Sequence, residues 1–210
     1  MIRVVLVDDH NLILRGLREL LSAAAGIEVV GEATDYGSLR TLLRGTRADV
    51  VVLDINLPGR SGLDALATIN EIDPAPRVLM LSQFAVDQYG LRALRAGAMG
   101  YLNKACDPAQ IVEAVREVAA GRKYVTQDLA HLLLDAVTGA RTTALHETLS
   151  EREMQVLLLI ASGKRLSLIA ERLALSPKTV SVYRARIMEK LSLASNAELA
   201  AYALRHHLME

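Results

Sequence analysis

The side chains best suited to chemistry are the carboxylates of Asp8, Asp9 and Asp54, the hydroxyl of Ser82 and the ammonium of Lys104. Three carboxylates gathered in one place repel one another unless a cation or protons neutralise them. Their oxygens, supplemented by backbone or water oxygens, suit Mg²⁺, a hard ion that keeps waters and bridges to phosphate. A carboxylate can also act as a nucleophile, and a hydroxyl and an ammonium facing it could hold the oxygens of a phosphoryl group. Each residue has an ordinary reading too. Strand-end aspartates often cap the next helix, and a lone serine or lysine usually lies in solvent, so the chemistry requires that the chain bring all five together.

The first 120 residues alternate short β-branched runs with amphipathic stretches, the pattern of βαβ units and a parallel sheet. Strands are expected at Ile2 to Val7, Glu28 to Ala33, Val50 to Asp54, Val78 to Ser82 and Gly100 to Asn103. Helices are expected near residues 11 to 24, 36 to 45, 62 to 72, 87 to 96 and 108 to 120. Five of each in this order predict a doubly wound α/β domain with its ligand crevice beyond the carboxyl ends of the strands. Asp8, Asp9, Asp54, Ser82 and Lys104 all stand at those ends, and such a coincidence is hard to assign to chance.

Composition narrows the function classes. The 210 residues carry 24 Lys plus Arg against 24 Asp plus Glu, and 51% are apolar, which rules out disorder as the dominant state. A neutral whole argues against a histone-like coat or a polybasic membrane binder. No apolar run approaches the roughly 18 residues of a membrane span, and there is no signal-peptide layout, so a cytoplasmic location is expected. The single cysteine, Cys106, fits a reducing compartment and excludes a disulfide framework. With six Tyr, one Phe and no Trp, recognition of single strands by base stacking is not expected.

Neutrality conceals an asymmetry. Residues 1–122 hold 13 basic and 15 acidic residues, residues 123–149 hold 2 and 3, and residues 150–210 hold 9 and 6. The net charges of −2, −1 and +3 suggest an acidic first domain (1–122), a linker with one embedded helix (123–149) and a basic second domain (150–210).

The pattern of Asp8-Asp9, D-I-N-L-P-G-R-S-G from Asp54 to Gly62, Ser82 and G-Y-L-N-K from Gly100 to Lys104 resembles the receiver domain of two-component response regulators. The resemblance spans the whole first domain. It implies that Asp54 takes a phosphoryl group from a sensor histidine kinase, and that Asp8, Asp9, Asp54 and the backbone carbonyl of Asn56 hold Mg²⁺. It further implies that Lys104 and Ser82 hold the phosphoryl oxygens, and that Tyr101 is an aromatic switch turning inward as Ser82 moves toward the phosphate. Two departures stand out: Leu57 where methionine is frequent, an apolar exchange of similar volume, and Ala105 where many members have proline after the lysine.

The second domain reads as all helical. Ser150 and Glu153 have capping-box spacing, Gly163 marks a helix end, and Ser176-Pro177 gives an N-cap followed by proline at the first helical position. A helix from 177 to about 191 would bury Val180, Ile187 and Leu191 and present Lys178, Ser181, Val182, Ala185 and Arg186. On charge alone this face is as easily a solvated surface as a DNA-binding one. L-S-E-R-E from Leu149, I-A-E-R-L from Ile169, S-P-K-T-V from Ser176 and K-L at Lys190-Leu191 resemble the LuxR-type helix-turn-helix of NarL/FixJ regulators. Tyr183-Arg184 followed by Arg186 is most similar to the GacA/UvrY branch. The resemblance implies a recognition helix at 177–191 in the major groove, with Lys178, Thr179, Ser181, Val182, Tyr183, Arg184, Arg186 and Lys190 as contact residues, and a homodimer on double-stranded promoter DNA. RNA polymerase is a further partner it allows. R-L-S-L from Arg165 departs from the polar S-N-K-E frequent in relatives, so either the helix starts differently or its leucines meet another surface.

The expected function is thus a phosphorylation-controlled transcription regulator. An aspartyl-phosphate phosphotransferase or phosphatase is the enzyme alternative, but D-I-N-L-P offers no carboxylate two residues after Asp54 to serve as general acid. An orphan regulator set by a protein partner is a third reading. His206-His207 are expected on the surface, Cys106 at least partly buried, and Phe84 packed against the fourth helix of the first domain.

Overall fold

The computed structural model describes residues 1–58, 60–72, 74–138, 145–206 and 208–209. These form two compact units, Met1–Thr138 and Gly139–Glu210.

In the first unit, the strands β1 (Ile2–Val7), β2 (Ile27–Ala33), β3 (Val50–Leu53), β4 (Arg77–Ser82) and β5 (Gly100–Asn103) make one sheet in the order β2-β1-β3-β4-β5. All pairs are parallel. β1 and β3 are adjacent, with Val7 opposite Leu53, so the residues that follow them, Asp8 and Asp54, emerge side by side. Val4, Leu6, Val50, Val52, Leu79, Leu81 and Leu102 pack in one core with Leu14, Leu17 and Leu21 of α1 (Asn11–Ala23) and Ile111, Ala114, Val115 and Val118 of α5 (Pro108–Ala119). The alternate residues Val5, Val7, Val51, Leu53 and Met80 are equally buried, as both faces of a parallel sheet must be. Helices α2 (Tyr36–Gly45), α3 (Gly62–Ile69) and α4 (Val86–Arg95) complete the wound layers.

Local caps explain the boundaries. Asp35 and Ser38 form a capping box for α2, Ser61 caps α3 and Asp107 caps α5 ahead of Pro108. α3 stops at Ile69 rather than near residue 72; the Asn70 backbone N–H still closes the last turn on Leu66, while its side-chain Nδ2 donates to the carbonyl of Ala96 at the end of α4, at 3.1 Å.

The division into 1–122, 123–149 and 150–210 needs correction at the linker. Its embedded helix is α6 (Gln127–Thr138), and α6 belongs to the first unit, packed on α4. Leu129 is fully buried, and its Cδ1 lies 2.9 Å from where a Cβ on Gly90 would stand. A glycine in the middle of α4 thus opens the notch that receives the helix. The following T-G-A-R-T-T stretch lies, apart from Thr138, outside the described residues.

The second unit contains a short 3-10 turn (Leu145–Thr148) and helices α7 (Glu151–Ala161), α8 (Leu166–Arg172), α9 (Pro177–Leu191) and α10 (Asn196–Arg205). The Ser150–Glu153 capping box and the Ser176 N-cap with Pro177 form as expected, and Gly163, at φ 76°, takes the left-handed turn after α7. Met154, Leu157, Ile169, Leu173, Val180, Ile187, Leu191 and Leu199 are buried. At R-L-S-L, α8 begins without a side-chain cap on Arg165, and Leu168 stays 48% exposed beside Leu159 and Arg172. Among the described residues, no helix is long and apolar enough to cross a membrane.

Candidate functional site: a carboxylate pocket and a basic helix

The sheet brings the five residues singled out above to one edge. Asp8 and Asp54 are each 2% exposed and Ser82 is fully buried, whereas Asp9 lies nearer solvent. Lys104 Nζ reaches between the two buried carboxylates, 2.6 Å from Asp8 Oδ2 and 3.0 Å from Asp54 Oδ2. Its backbone N–H donates to the Ser82 carbonyl at 2.7 Å, which fixes the end of β5 against the end of β4.

Burial pushes the Asp54 carboxyl up; Lys104 opposes this and Asp8 adds to it, leaving the group above its ordinary range. Burial pulls Lys104 down, but Asp54 and Asp8 more than offset it, so the ammonium is held charged. The Lys104 ammonium and the Asn56 backbone N–H are the two groups that favour the charged form of Asp54. Carboxylate oxygens of Asp8, Asp9 and Asp54 and a ring nitrogen of His10 all lie within 4.8 Å of one another, so this group of residues could hold a metal ion. Asn56, expected to add its backbone carbonyl, is half-buried two residues beyond Asp54.

The loop after β4 is held from β5. Tyr101 OH donates to the Phe84 carbonyl at 2.8 Å, and Asn103 Nδ2 donates to the same oxygen at 3.0 Å. Phe84 N–H in turn donates to Ser82 Oγ at 3.3 Å. Tyr101, 1% exposed, therefore already stands inward, with Ser82 engaged by its own loop. Phe84 stacks on Tyr89 of α4, with ring centroids 4.9 Å apart, as expected. Ala105 donates its N–H to Asn103 Oδ1 at 2.8 Å, a bond that proline at this position would forbid. Leu57 is buried, in keeping with an apolar exchange there.

Three contributors escaped the sequence reading. Asn103 was visible only as a letter in G-Y-L-N-K, and nothing local marks it as a loop clamp. His10 follows the two aspartates directly, and that adjacency was the available signal. Gly62 begins α3 so close to the Asp54 backbone that a Cβ would fall 2.0 Å from the Asp54 carbonyl oxygen.

On α9, Lys178, Ser181, Val182, Ala185 and Arg186 are exposed, and Thr179, Tyr183 and Arg184 are half-buried. Two of the expected cationic contact residues are engaged within the unit. Arg184 Nε donates to Asn196 Oδ1 at 2.6 Å, tying α9 to the start of α10. Lys190 Nζ lies 2.6 Å from the buried Glu153 Oε2 and also donates to the Thr148 carbonyl at 3.4 Å, locking α9 onto α7. His206 lies over Tyr202 in a tilted arrangement and meets His146 edge-on, while His207 lies outside the described residues. Cys106 is half-buried against the core of the first unit, which raises its thiol pKa.

Burial raises the Glu153 pKa, but Lys190 and the Ser150 cap outweigh it and hold the carboxyl below its ordinary value. An acid with a lowered folded pKa stabilises the fold above its unfolded pKa, and that contribution disappears as pH falls through the folded one. Glu153→Gln is therefore expected to cost about 1–2 kcal/mol at pH 7, given that the lysine is partly exposed. Urea unfolding of both proteins should show that gap closing as the pH is taken below about 4.

Residues 4–116 match the response regulator receiver domain, and residues 147–203 match the bacterial regulatory proteins of the luxR family. The response regulator UvrY of Escherichia coli (strain K12) is 38% identical over 209 residues, covering 99% of this chain and 96% of the relative. The response regulator GacA of Pseudomonas aeruginosa is 37% identical over 211 residues, covering 100% and 99%. Among solved structures, RcsB from Salmonella enterica serovar Typhimurium, bound to promoter P1flhDC in the presence of the phosphomimetic BeF3-, has a TM-score of 0.68 at 25% identity over 96% of this chain and 97% of that one. With both domains matched in order and relatives similar from end to end, the chain belongs to the two-component response regulators that join a receiver domain to a LuxR-type DNA-binding domain and control transcription.

Proposed function

We propose that Asp54 accepts a phosphoryl group from the phosphohistidine of a sensor kinase and that this modification controls dimerisation and promoter binding. The observation that carries the reading is the Asp54 carboxylate, buried at a strand end beside Asp8 with Lys104 Nζ 3.0 Å away. Asp54 attacks phosphorus, the phosphohistidine nitrogen leaves, and Lys104 and Ser82 hold the phosphoryl oxygens. Asp8, Asp9, Asp54 and the Asn56 carbonyl would hold Mg²⁺, which when bound neutralises the pocket and steadies the transferred group. The same pocket would support slow loss of the phosphoryl group to water, the only turnover assigned to this chain.

Ser82 Oγ accepts from the Phe84 N–H and keeps its own proton to donate to a phosphoryl oxygen, so phosphorylation bears directly on the loop that Tyr101 and Asn103 grip. That loop leads into α4, and the added charge thereby reaches a packed helix. In the second unit α9 enters the major groove, where Lys178 and Arg186 are its exposed cations and Ser181, Val182, Thr179 and Tyr183 line the approach. Arg184 and Lys190, held by Asn196 and Glu153, position α9 and reach phosphate only if those ties loosen. So few available charges make single-copy binding weak, and pairing of two copies on adjacent half-sites supplies the missing contacts. This reading places the protein in the cytoplasm, with RNA polymerase as the partner of the promoter-bound dimer.

Incubation of the full chain with acetyl phosphate and Mg²⁺ should give a single phosphorylated species, absent in Asp54→Asn. Gel-shift titration on promoter fragments should show binding strengthened by the phosphodonor in the wild type only. Identical dimerisation and DNA binding of wild type and variant, with and without phosphodonor, would refute the switch.

A further inference from the structure

We propose that α6 is a latch on the first unit, seated by Leu129 in the notch at Gly90 and released when the grip of Tyr101 and Asn103 on the loop after β4 loosens. Only the input to this latch, phosphorylation at Asp54, rests on the function proposed above.

α6 hangs on one side chain. Among the described side chains of α6, Leu129 alone is fully buried, while Val137 near the other end is 85% exposed. A helix of 12 residues is marginal in water by itself, so its persistence depends on that knob. The seat is built from α4: a Cβ on Gly90 would stand 2.9 Å from Leu129 Cδ1 and 2.8 Å from Val86 Cγ2, so Leu129 rests against the α4 backbone one turn beyond Val86. A hinge precedes the knob. Tyr124 N–H donates to the Met99 carbonyl at 2.8 Å and Tyr124 bridges to Gly100, which ties the chain to β5 just before Thr126 opens the first turn of α6. Release of Leu129 would thus free α6 and leave Tyr124 in place.

Seat and clamp share a wall. A cleft of about 440 Å³ is lined by Tyr101 and Asn103, by Ala85 and Val86, and by Thr126 and Gln127 at the start of α6. Tyr101 OH and Asn103 Nδ2 both donate to the Phe84 carbonyl, two residues before Val86, and the Phe84 ring lies on Tyr89, next to Gly90. A shift of the Phe84 loop therefore carries Val86 and Gly90 with it, and Leu129 must follow or leave its seat. Packed contacts of this kind switch between arrangements rather than deform continuously. A phosphoryl group that accepts from Ser82 Oγ would anchor the loop through the Phe84 N–H and so favour the seated state. α6 is the last element of the first unit, so its release lengthens the tether to the second, and a longer flexible tether holds paired DNA-binding units less firmly to adjacent half-sites.

Hydrogen exchange of the full chain, without phosphodonor, reads the loop at residues 83–85 and α6 at residues 127–138 together. Leu129→Ala should speed exchange in α6 at least about tenfold. Tyr101→Phe, which removes one hydrogen bond to Phe84 and touches no atom of Leu129, should speed it about fivefold. By reciprocity Leu129→Ala should also loosen residues 83–85. Val137→Ala, on the outer side of α6, should stay within about twofold of wild type. Gly90→Ala improves α4 as a helix and must unseat α6 all the same, so loss of protection there cannot be put down to a damaged core. Acetyl phosphate with Mg²⁺ should slow α6 exchange in the wild type and not in Asp54→Asn, and the gain in promoter binding that it brings should shrink at least about fivefold in Leu129→Ala. Fast α6 exchange in Leu129→Ala with residues 83–85 unchanged, or wild-type α6 exchange in Tyr101→Phe, would overturn the latch and leave phosphorylation standing. Should Asp54 take no label, the phosphorylation reading falls, and the exchange measured without phosphodonor still decides the latch.

Discussion

Gly62→Ala is expected to cost about 3 kcal/mol of stability and to slow phosphorylation at least tenfold, although it removes no group from the pocket. The added Cβ would fall 2.0 Å from the Asp54 carbonyl oxygen, 2.9 Å from its carbon and 3.0 Å from Ile55 Cα. All three are backbone atoms, so no flexible side chain can yield. Gly62 N–H also donates to the Ile55 carbonyl at 2.7 Å, so the start of α3 is bound to the loop it would have to leave. Ser61, which caps α3, is fully buried and cannot move outward without opening the layer. Displacing either side shifts Asp54 against Lys104 and Asp8, and a misplacement of about 1 Å is enough to cost two orders of magnitude in a positioned reaction. Gly16→Ala is the control. Its Cβ meets nothing within 4 Å on the exposed side of α1, and replacing a helical glycine should stabilise by roughly 0.5–1 kcal/mol. Thermal unfolding of both variants, with the rate of acetyl phosphate labelling, decides the matter; Gly62→Ala with wild-type stability and labelling would refute the close-packing argument.

The contrast between these glycines marks what a sequence yields. Strand ends were legible because β-branched runs stop at Asp8 and Asp54, and parallel topology then dictates which ends are neighbours. Helix starts were legible for a local reason: Ser150 meets Glu153, and Ser176 meets the Thr179 N–H, within one turn. Contacts between distant elements were not. Nothing near Leu129 says that it fills the notch at Gly90, so α6 read as linker. Lys190 read as a cation near DNA because its spacing along α9 is visible and Glu153, at the start of α7, is not. The +3 of the last 61 residues likewise does not say which cations are free, since Lys190 is held in place by the buried Glu153 carboxylate. Local codes thus place the reactive groups, and long-range packing decides which of them are free to react.

Lys104→Met should have the second large effect, because that ammonium is the cation through which the two buried carboxylates are held together. Asp8 and Asp54 are each 2% exposed, and Lys104 bridges them at 2.6 and 3.0 Å. Removing one partner of a buried pair leaves uncompensated charge and typically costs about 3–5 kcal/mol. The Asp54 carboxyl already sits above its ordinary range through burial, with Lys104 working against that rise, so the variant raises it further. An acid whose folded pKa exceeds its unfolded one destabilises the fold above that pKa and ceases to do so once protonated. The deficit of Lys104→Met should therefore be largest near neutrality and shrink as the pH falls through the raised Asp54 value. A structural lysine alone would predict no more than this. If Lys104 also holds a phosphoryl oxygen, the variant should remain unresponsive to phosphodonor in DNA binding even where unfolding curves show it fully native. Full stability at pH 7, or a normal DNA-binding response, would each refute one of the two roles separately.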